Sequence, residues 1–272
     1  MPYRLSAFAD EISTDIQVQM DHLLDNGCNF CAMRGANGKN VMEFEDFQIP
    51  MLKSQFFNRK IRFSCIGSPI GKVPITEPFE KELTRFRDVC KRAAAFETKV
   101  LRVFSFYIPE GDDPSKHRAD VIGRLTSMAE FAKGQGLNLL LENEHGLYAD
   151  TAERCVDVLK SVNAPNVMMA FDFANFVHVG EDPAAAWPKL KQWVRDFHIK
   201  DENAAGQVCV AGQGRGKLPE ILKEALSSPS PYMLTLEPHL GKSDGFTTLT
   251  GAQCFKAAAE ALHKVLADIG AK

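Results

Sequence analysis

Short apolar runs and amphipathic stretches alternate along this chain from one end to the other, and few folds can accommodate that pattern. The apolar runs are YRLSAFA, CNFCAMR, IRFSCIG, KVLRVFSFYI, LNLLLEN, VMMAFDF, VRDFHIK and YMLTLEP. They are short, rich in β-branched and aromatic residues, and close to continuously apolar, which is the character of strands covered on both faces. DIQVQMDHLLDNG, EKELTRFRDVCKRAAAF, KHRADVIGRLTSMAEFAKGQG, TAERCVDVLKSV, AAAWPKLKQW, PEILKEAL and GAQCFKAAAEALHKVLADI are the intervening helical stretches. In TAERCVDVLKSV the apolar positions are Ala152, Cys155, Val156, Leu159 and Val162, a single helical face. Gly27 reads as the stop of the first helix. Roughly eight strand–helix units close a (β/α)8 barrel. With 272 residues, 45% of them hydrophobic, and no compositional break to mark a linker, one barrel domain over residues 1–272 is expected. An open doubly wound sheet is the alternative, but the glycine-rich dinucleotide fingerprint after the first strand is absent.

Composition narrows the functional classes. A formal net charge of -3 provides no positive field to draw the chain to nucleic acid or anionic lipid. MPYRLSAFADE lacks the basic and apolar regions of a signal peptide, and no apolar run approaches membrane-spanning length. A soluble cytoplasmic protein, with no nucleic-acid or membrane partner, is the expectation. The 7 cysteines are scattered, and the Cys28–Cys31 pair has no second pair to complete a zinc site. They read as buried free thiols.

In a barrel of this kind the active site lies at the C-terminal ends of the strands. The fifth strand ends in Glu142, the sixth in Asp172, the seventh in His198 and the eighth in Glu237. Three carboxylates converging in a barrel mouth repel one another by several kcal/mol unless something neutralises them. A divalent cation is the simplest agent, and three hard oxygens with one imidazole suit Mn, Mg, Co or Zn. The alternative is a set of rim charges paired with Lys and Arg. Strand alternation places Glu144 beside Glu142, Lys200 beside His198 and His239 beside Glu237, all facing the lumen, with Asn143 turned toward the helices. Glu144, His145, Lys200 and Arg34 are candidate substrate contacts, each balanced by a reading as a solvated loop or an ion pair. Gly212–Gly216 (GQGRG), with Arg215, is a candidate loop for an anionic substrate end, or else a plain mobile loop. Ser68, Pro69 and the aromatics from Phe104 to Tyr107 could line the apolar side of a sugar, or simply pack. His178 and His239 are weak candidates.

The segments LLLENE, FDFANF, FHIKD and TLEPH resemble the xylose-isomerase-like TIM barrel superfamily of sugar phosphate isomerases and epimerases. MRGANGKNV, CIGSPIGK and GQGRG resemble it too, so the likeness covers nearly the whole chain. It implies one divalent metal held by Glu142, Asp172, His198 and Glu237, with Glu142 and Glu237 also moving the substrate proton. The implied reaction is isomerisation or epimerisation of a small sugar or sugar-derived keto compound through an enediolate. A metal-dependent dehydratase of the inosose or dehydroshikimate type shares the first half of that chemistry. Many members carry a histidine three residues after the sixth-strand aspartate. Here that position is Asn175, which can hydrogen-bond a sugar hydroxyl but cannot titrate. A glutamate common on the second strand is also missing, since the chain reads Ala32 and Met33. An abasic-site endonuclease needs further histidines on the earlier strands, and the chain has none there. A non-enzymatic carbohydrate sensor would keep the pocket yet could lose a proton-transfer glutamate, whereas both are present. The helix-rich exterior permits a homo-oligomer.

Overall fold

The three consecutive leucines of LNLLLEN show why each strand is apolar on both faces. Leu139 and Leu141 pack into the core beneath the helices, while Leu140 lines the lower barrel lumen. Every second side chain is therefore internal to a ring of strands and the others are covered by helices. The computed structural model describes residues 3–229 and 231–271. The ring comprises β1 (Tyr3–Ala7), β2 (Phe30–Met33), β3 (Arg62–Ile66), β4 (Val100–Val103), β5 (Asn138–Glu142), β6 (Val167–Asp172), β7 (Val194–Ile199) and β8 (Tyr232–Leu236). Neighbours run in the order β1-β8-β7-β6-β5-β4-β3-β2, and every ladder is parallel. β2 comes back against β1 to near-close the ring, but no ladder joins those two among the described residues.

The helices are α1 (Ile16–Asp25), α2 (Gln48–Asn58), α3 (Phe79–Ala95), α4 (Arg118–Gly134), α5 (Ala152–Val162), α6 (Phe173–His178), α7 (Pro183–Leu190), α8 (Leu218–Ala225) and α9 (Gly251–Asp268). Local chemistry explains several boundaries. Asp15 caps α1 by accepting from the Gln17 and Val18 N–H groups, and Gly27 takes φ +76° just beyond its end. Thr250 and Gln253 form a reciprocal capping box at α9. α2 was not among the stretches picked out above. Its entry residue Phe47 provides no side-chain cap and Pro50 sits in its first turn. Within FDFANF the strand stops at Asp172, because the Asp172 side chain caps α6 by accepting from Asn175 N–H at 2.8 Å. No helix among the described residues is long and apolar enough to cross a membrane. All seven cysteines are free, six of them buried and Cys209 half-buried.

Two features position the mouth. The β6–β7 ladder shifts register between Met169 and Ala170, which sets Asp172 directly opposite His198. The loops after β3, β4 and β5 are sewn together by backbone bonds: Phe104 N–H to Ile70 O at 2.8 Å, Phe106 N–H to Gly71 O at 2.9 Å, and Tyr148 N–H to Phe106 O at 3.0 Å. Gly71 is required in this weave. Its φ is +89°, and a Cβ there would lie 2.1 Å from the Phe104 carbonyl oxygen.

A candidate metal centre at the barrel mouth

Glu142, Asp172, His198 and Glu237 are all buried, and one ligand-type atom from each lies within 4.8 Å of the other three. His198 Nδ1 is 3.0 Å from Glu142 Oε1 and 3.2 Å from Glu237 Oε2. These separations lack hydrogen-bond geometry. Glu142 Oε2, Asp172 Oδ2, Glu237 Oε2 and both His198 nitrogens are buried without a hydrogen-bond partner among the described residues. Buried polar atoms are seldom left without hydrogen bonds, and five at one point make a set that could hold a cation. Atoms about 2.1 Å from a shared ion stand about 3–4 Å apart, so the four groups need to close by only about an ångström to hold one.

The surrounding charges support the same fit. Arg102 Nη1 lies 3.1 Å from Glu142 Oε2 and 3.7 Å from Glu237 Oε1. Lys200 Nζ lies 2.9 Å from Asp172 Oδ2. Arg34 bonds Glu237, Glu11 and Asp10 at 2.8, 2.9 and 2.7 Å. Five carboxylates therefore face three cationic side chains, and a divalent ion would cancel the remainder. In the ion-free centre a proton takes up part of that excess. Burial alone would push the His198 imidazole down, but Glu142 and Glu237 outweigh it and hold the ring well above its ordinary value. Burial would likewise raise Glu142, yet His198 and Arg102 bring it to about 2. Glu237 is drawn well below the usual carboxylate range against its burial, chiefly by Lys200 and His198. Asp172 stays raised, to about 6, because burial there exceeds the pull of Lys200.

Supporting contacts fix these side chains. Asn143 does not point out to the helices. It is buried and donates from Nδ2 to Asp172 O at 3.0 Å, while its Oδ1 accepts from Asp172 N–H at 2.9 Å. Asn175 donates from Nδ2 to Asn143 O at 2.9 Å. The two amides thus lock the end of β5 to that of β6, and Asn175 still borders the mouth. Phe8 meets the His198 ring edge-on at 5.3 Å and lies beneath the guanidinium groups of both Arg34 and Arg102.

Beside the four side chains of the centre, which do not themselves border it, opens a cavity of about 720 Å³ bordered by Glu144, His145, His178, Lys200, Glu202 and His239, among others. Glu144, Lys200 and His239 all border it, although each lies beyond the end of its strand, where alternation no longer sets the direction of a side chain. Glu144 pairs with Lys72 at 2.6 Å, His145 meets His178 edge-on at 4.9 Å, and His178 Nδ1 lies 2.9 Å from Glu202 Oε2. Arg34 stands beside the centre with its donors engaged by acids.

Other expectations require correction. Arg215 borders a separate groove with Glu181, Asp182 and Lys217, and is not among the residues bordering the mouth. The GQGRG loop is not a free anion cradle, because the Asp201 carboxylate already accepts from Gly212, Gly214 and Gly216 N–H at 3.0, 2.9 and 2.8 Å. Glycine is needed there for that approach, since a Cβ on Gly214 would lie 2.3 Å from Asp201 Oδ1. Ser68, Phe104 and Phe106 are fully buried, and neither they nor Tyr107 border the mouth. Phe104 instead packs against Arg102 and Lys72. Arg102, Asp10, Glu11 and Lys72 were not singled out from the sequence. For Arg102 a signal existed, a lone charge in the middle of the apolar strand VLRV.

Residues 20–266 match the family described as "Xylose isomerase-like TIM barrel", and the chain belongs to that family. Among curated proteins it is similar to the 3-dehydroshikimate dehydratase of Bacillus anthracis, 23% identical over 133 residues. That match spans 49% of this chain and 48% of the relative, so the chain aligns with about half the relative's length. Among solved structures it is similar to the IOLI protein with a bound zinc atom, at TM-score 0.79 and 17% identity, covering 98% of this chain and 99% of that one. It is also similar to D-psicose 3-epimerase with D-tagatose from Clostridium cellulolyticum H10, at TM-score 0.75 and 15% identity, with 98% and 99% covered.

Proposed function

We propose that the protein is a divalent-metal-dependent enzyme that isomerises or epimerises a small polyhydroxylated keto or aldo compound through an enediolate. One observation carries this reading: buried ligand-type atoms of Glu142, Asp172, His198 and Glu237 meet at one point next to Lys200 and His239, which border an open cavity. Those four residues would hold the ion, which supplies a Lewis acid for negative charge developing on neighbouring substrate oxygens. Glu142 and Glu237 enter from strands three places apart. Glu142 is kept ionised by His198 and Arg102, and Glu237 by Lys200 and His198, so either can take a proton from the carbon beside a carbonyl. Delivery of a proton to the opposite face by the other glutamate, once that group has taken one up from water, would give the epimer, and return by the first glutamate to the adjacent carbon would give the aldose–ketose isomer. Lys200, Glu144 and His145 border the space where substrate hydroxyls would lie and can donate or accept hydrogen bonds there.

A second reading, a dehydratase of the inosose or dehydroshikimate type, is favoured by the curated relative's activity. It begins with the same proton abstraction and then expels water from the β carbon. Incubation with Mn²⁺ and a panel of ketoses, inososes and 3-dehydroshikimate in deuterated water tests both. Deuterium gained without loss of water supports isomerisation or epimerisation, and a product lighter by one water supports dehydration. Glu142→Gln and Glu237→Gln should each abolish turnover, and a variant that keeps full turnover would refute the role given to that residue.

A further inference from the structure

Beside the four-residue centre lies another grouping of metal-binding type. Glu11, Glu237 and His239 also place ligand atoms within 4.8 Å of one another, so Glu237 belongs to both groupings. This second place is already taken. Arg34 Nη1 donates to Glu237 Oε1 at 2.8 Å and Nη2 donates to Glu11 Oε1 at 2.9 Å, while Nε donates to Asp10 Oδ2 at 2.7 Å. His239 approaches the same two oxygens, with Nε2 3.2 Å from Glu237 Oε1 and Nδ1 3.4 Å from Glu11 Oε1. It is held there by a left-handed backbone, φ +47°, and by its N–H donating to Glu11 Oε2 at 2.8 Å.

We propose that Arg34 is a built-in second cation of the centre, its guanidinium filling the place between Glu11, Glu237 and His239 that a second divalent ion would otherwise occupy. This rests on the metal reading of the four-residue centre. Two-metal enzymes set their ions about 3.5–4 Å apart across shared ligands. Here the shared carboxylate, Glu237, instead joins the ion's place to an arginine. A guanidinium keeps its proton at any physiological pH and no chelator removes it. It also brings one positive charge where an ion would bring two, so Glu237 keeps more of the basicity that proton abstraction needs. Arg34 is accordingly a positioning residue.

A purely mechanical role is the competing account. β1 and β2 share no ladder, and Arg34 ties the turn after β1 to the ends of β2 and β8. The two accounts differ in ion count. Apoprotein is loaded with excess Mn²⁺ and desalted, manganese per chain is measured by elemental mass spectrometry, and folding is followed by circular dichroism. Wild type should hold one ion and Arg34→Met two, while the double variant Arg34→Met with Glu11→Gln should return to one. Arg34→Gln provides the same reading should the methionine variant fold poorly. No ion in wild type would remove the metal reading itself. Two ions in wild type, or one in a folded Arg34 variant, would overturn this proposal and leave the metal reading standing.

Discussion

Replacing Arg102 by methionine isolates the electrostatics of the centre. The side chain is 5% exposed, lies over the Phe8 and Phe104 rings, and faces Glu142 and Glu237 at 3.1 and 3.7 Å. Methionine fills comparable space without a void, so packing loss is small. The charge loss is not small. One such pair attracts by about 4 kcal/mol at an effective dielectric of 20, and removing one member of a buried pair typically costs about 3–5 kcal/mol. In the ion-free protein that corresponds to a fall in Tm of roughly 10 °C, at about 2–4 °C per kcal/mol for a chain of this size. A divalent ion supplies the missing positive charge, so saturating Mn²⁺ should restore most of the loss. The Mn²⁺-induced rise in Tm should therefore be larger in Arg102→Met than in wild type, and Mn²⁺ affinity should increase. Differential scanning calorimetry with EDTA and with Mn²⁺ measures both. An equal fall in Tm under the two conditions would show that Arg102 acts by packing alone and that the three acids and the imidazole are not a cation site.

Asp201→Ala should cost about 3 kcal/mol or more, because it strands the Gly212, Gly214 and Gly216 N–H groups that the carboxylate now satisfies; urea denaturation reads this. Gly71→Ala should destabilise by about 1–2 kcal/mol from its left-handed backbone alone, with the contact on Phe104 O added, and should give little folded protein on expression. Cation binding should release a proton from His198, since an imidazolium has no free lone pair for the ion; calorimetry in buffers of different ionisation enthalpy detects it. For the ion-free protein the sign follows from the raised His198 value. Its stabilising share is complete below the ordinary histidine value and is lost as pH climbs through the elevated one, which His198→Gln should abolish in Tm–pH profiles.

The barrel and the four residues that meet at its mouth were legible in the chain because both are local properties. A run such as LNLLLEN states that two faces are covered, and a carboxylate at the end of it states that the strand has reached the mouth. Four such endings in succession on β5 to β8 needed only the rule that parallel strands in a barrel end together. What surrounds the ligands was decided by tertiary contact. Arg102 looks like an isolated charge until β4 curves round to face β5 and β8. Arg34 becomes a partner of Glu237 only because β2 closes against β1, which pairs with β8. The GQGRG loop has the composition of an anion cradle, yet an aspartate eleven to fifteen residues earlier occupies it. Periodicity along one strand specifies which face a side chain takes. Which distant charge meets it there depends on how the ring closes, and no short stretch of sequence carries that information.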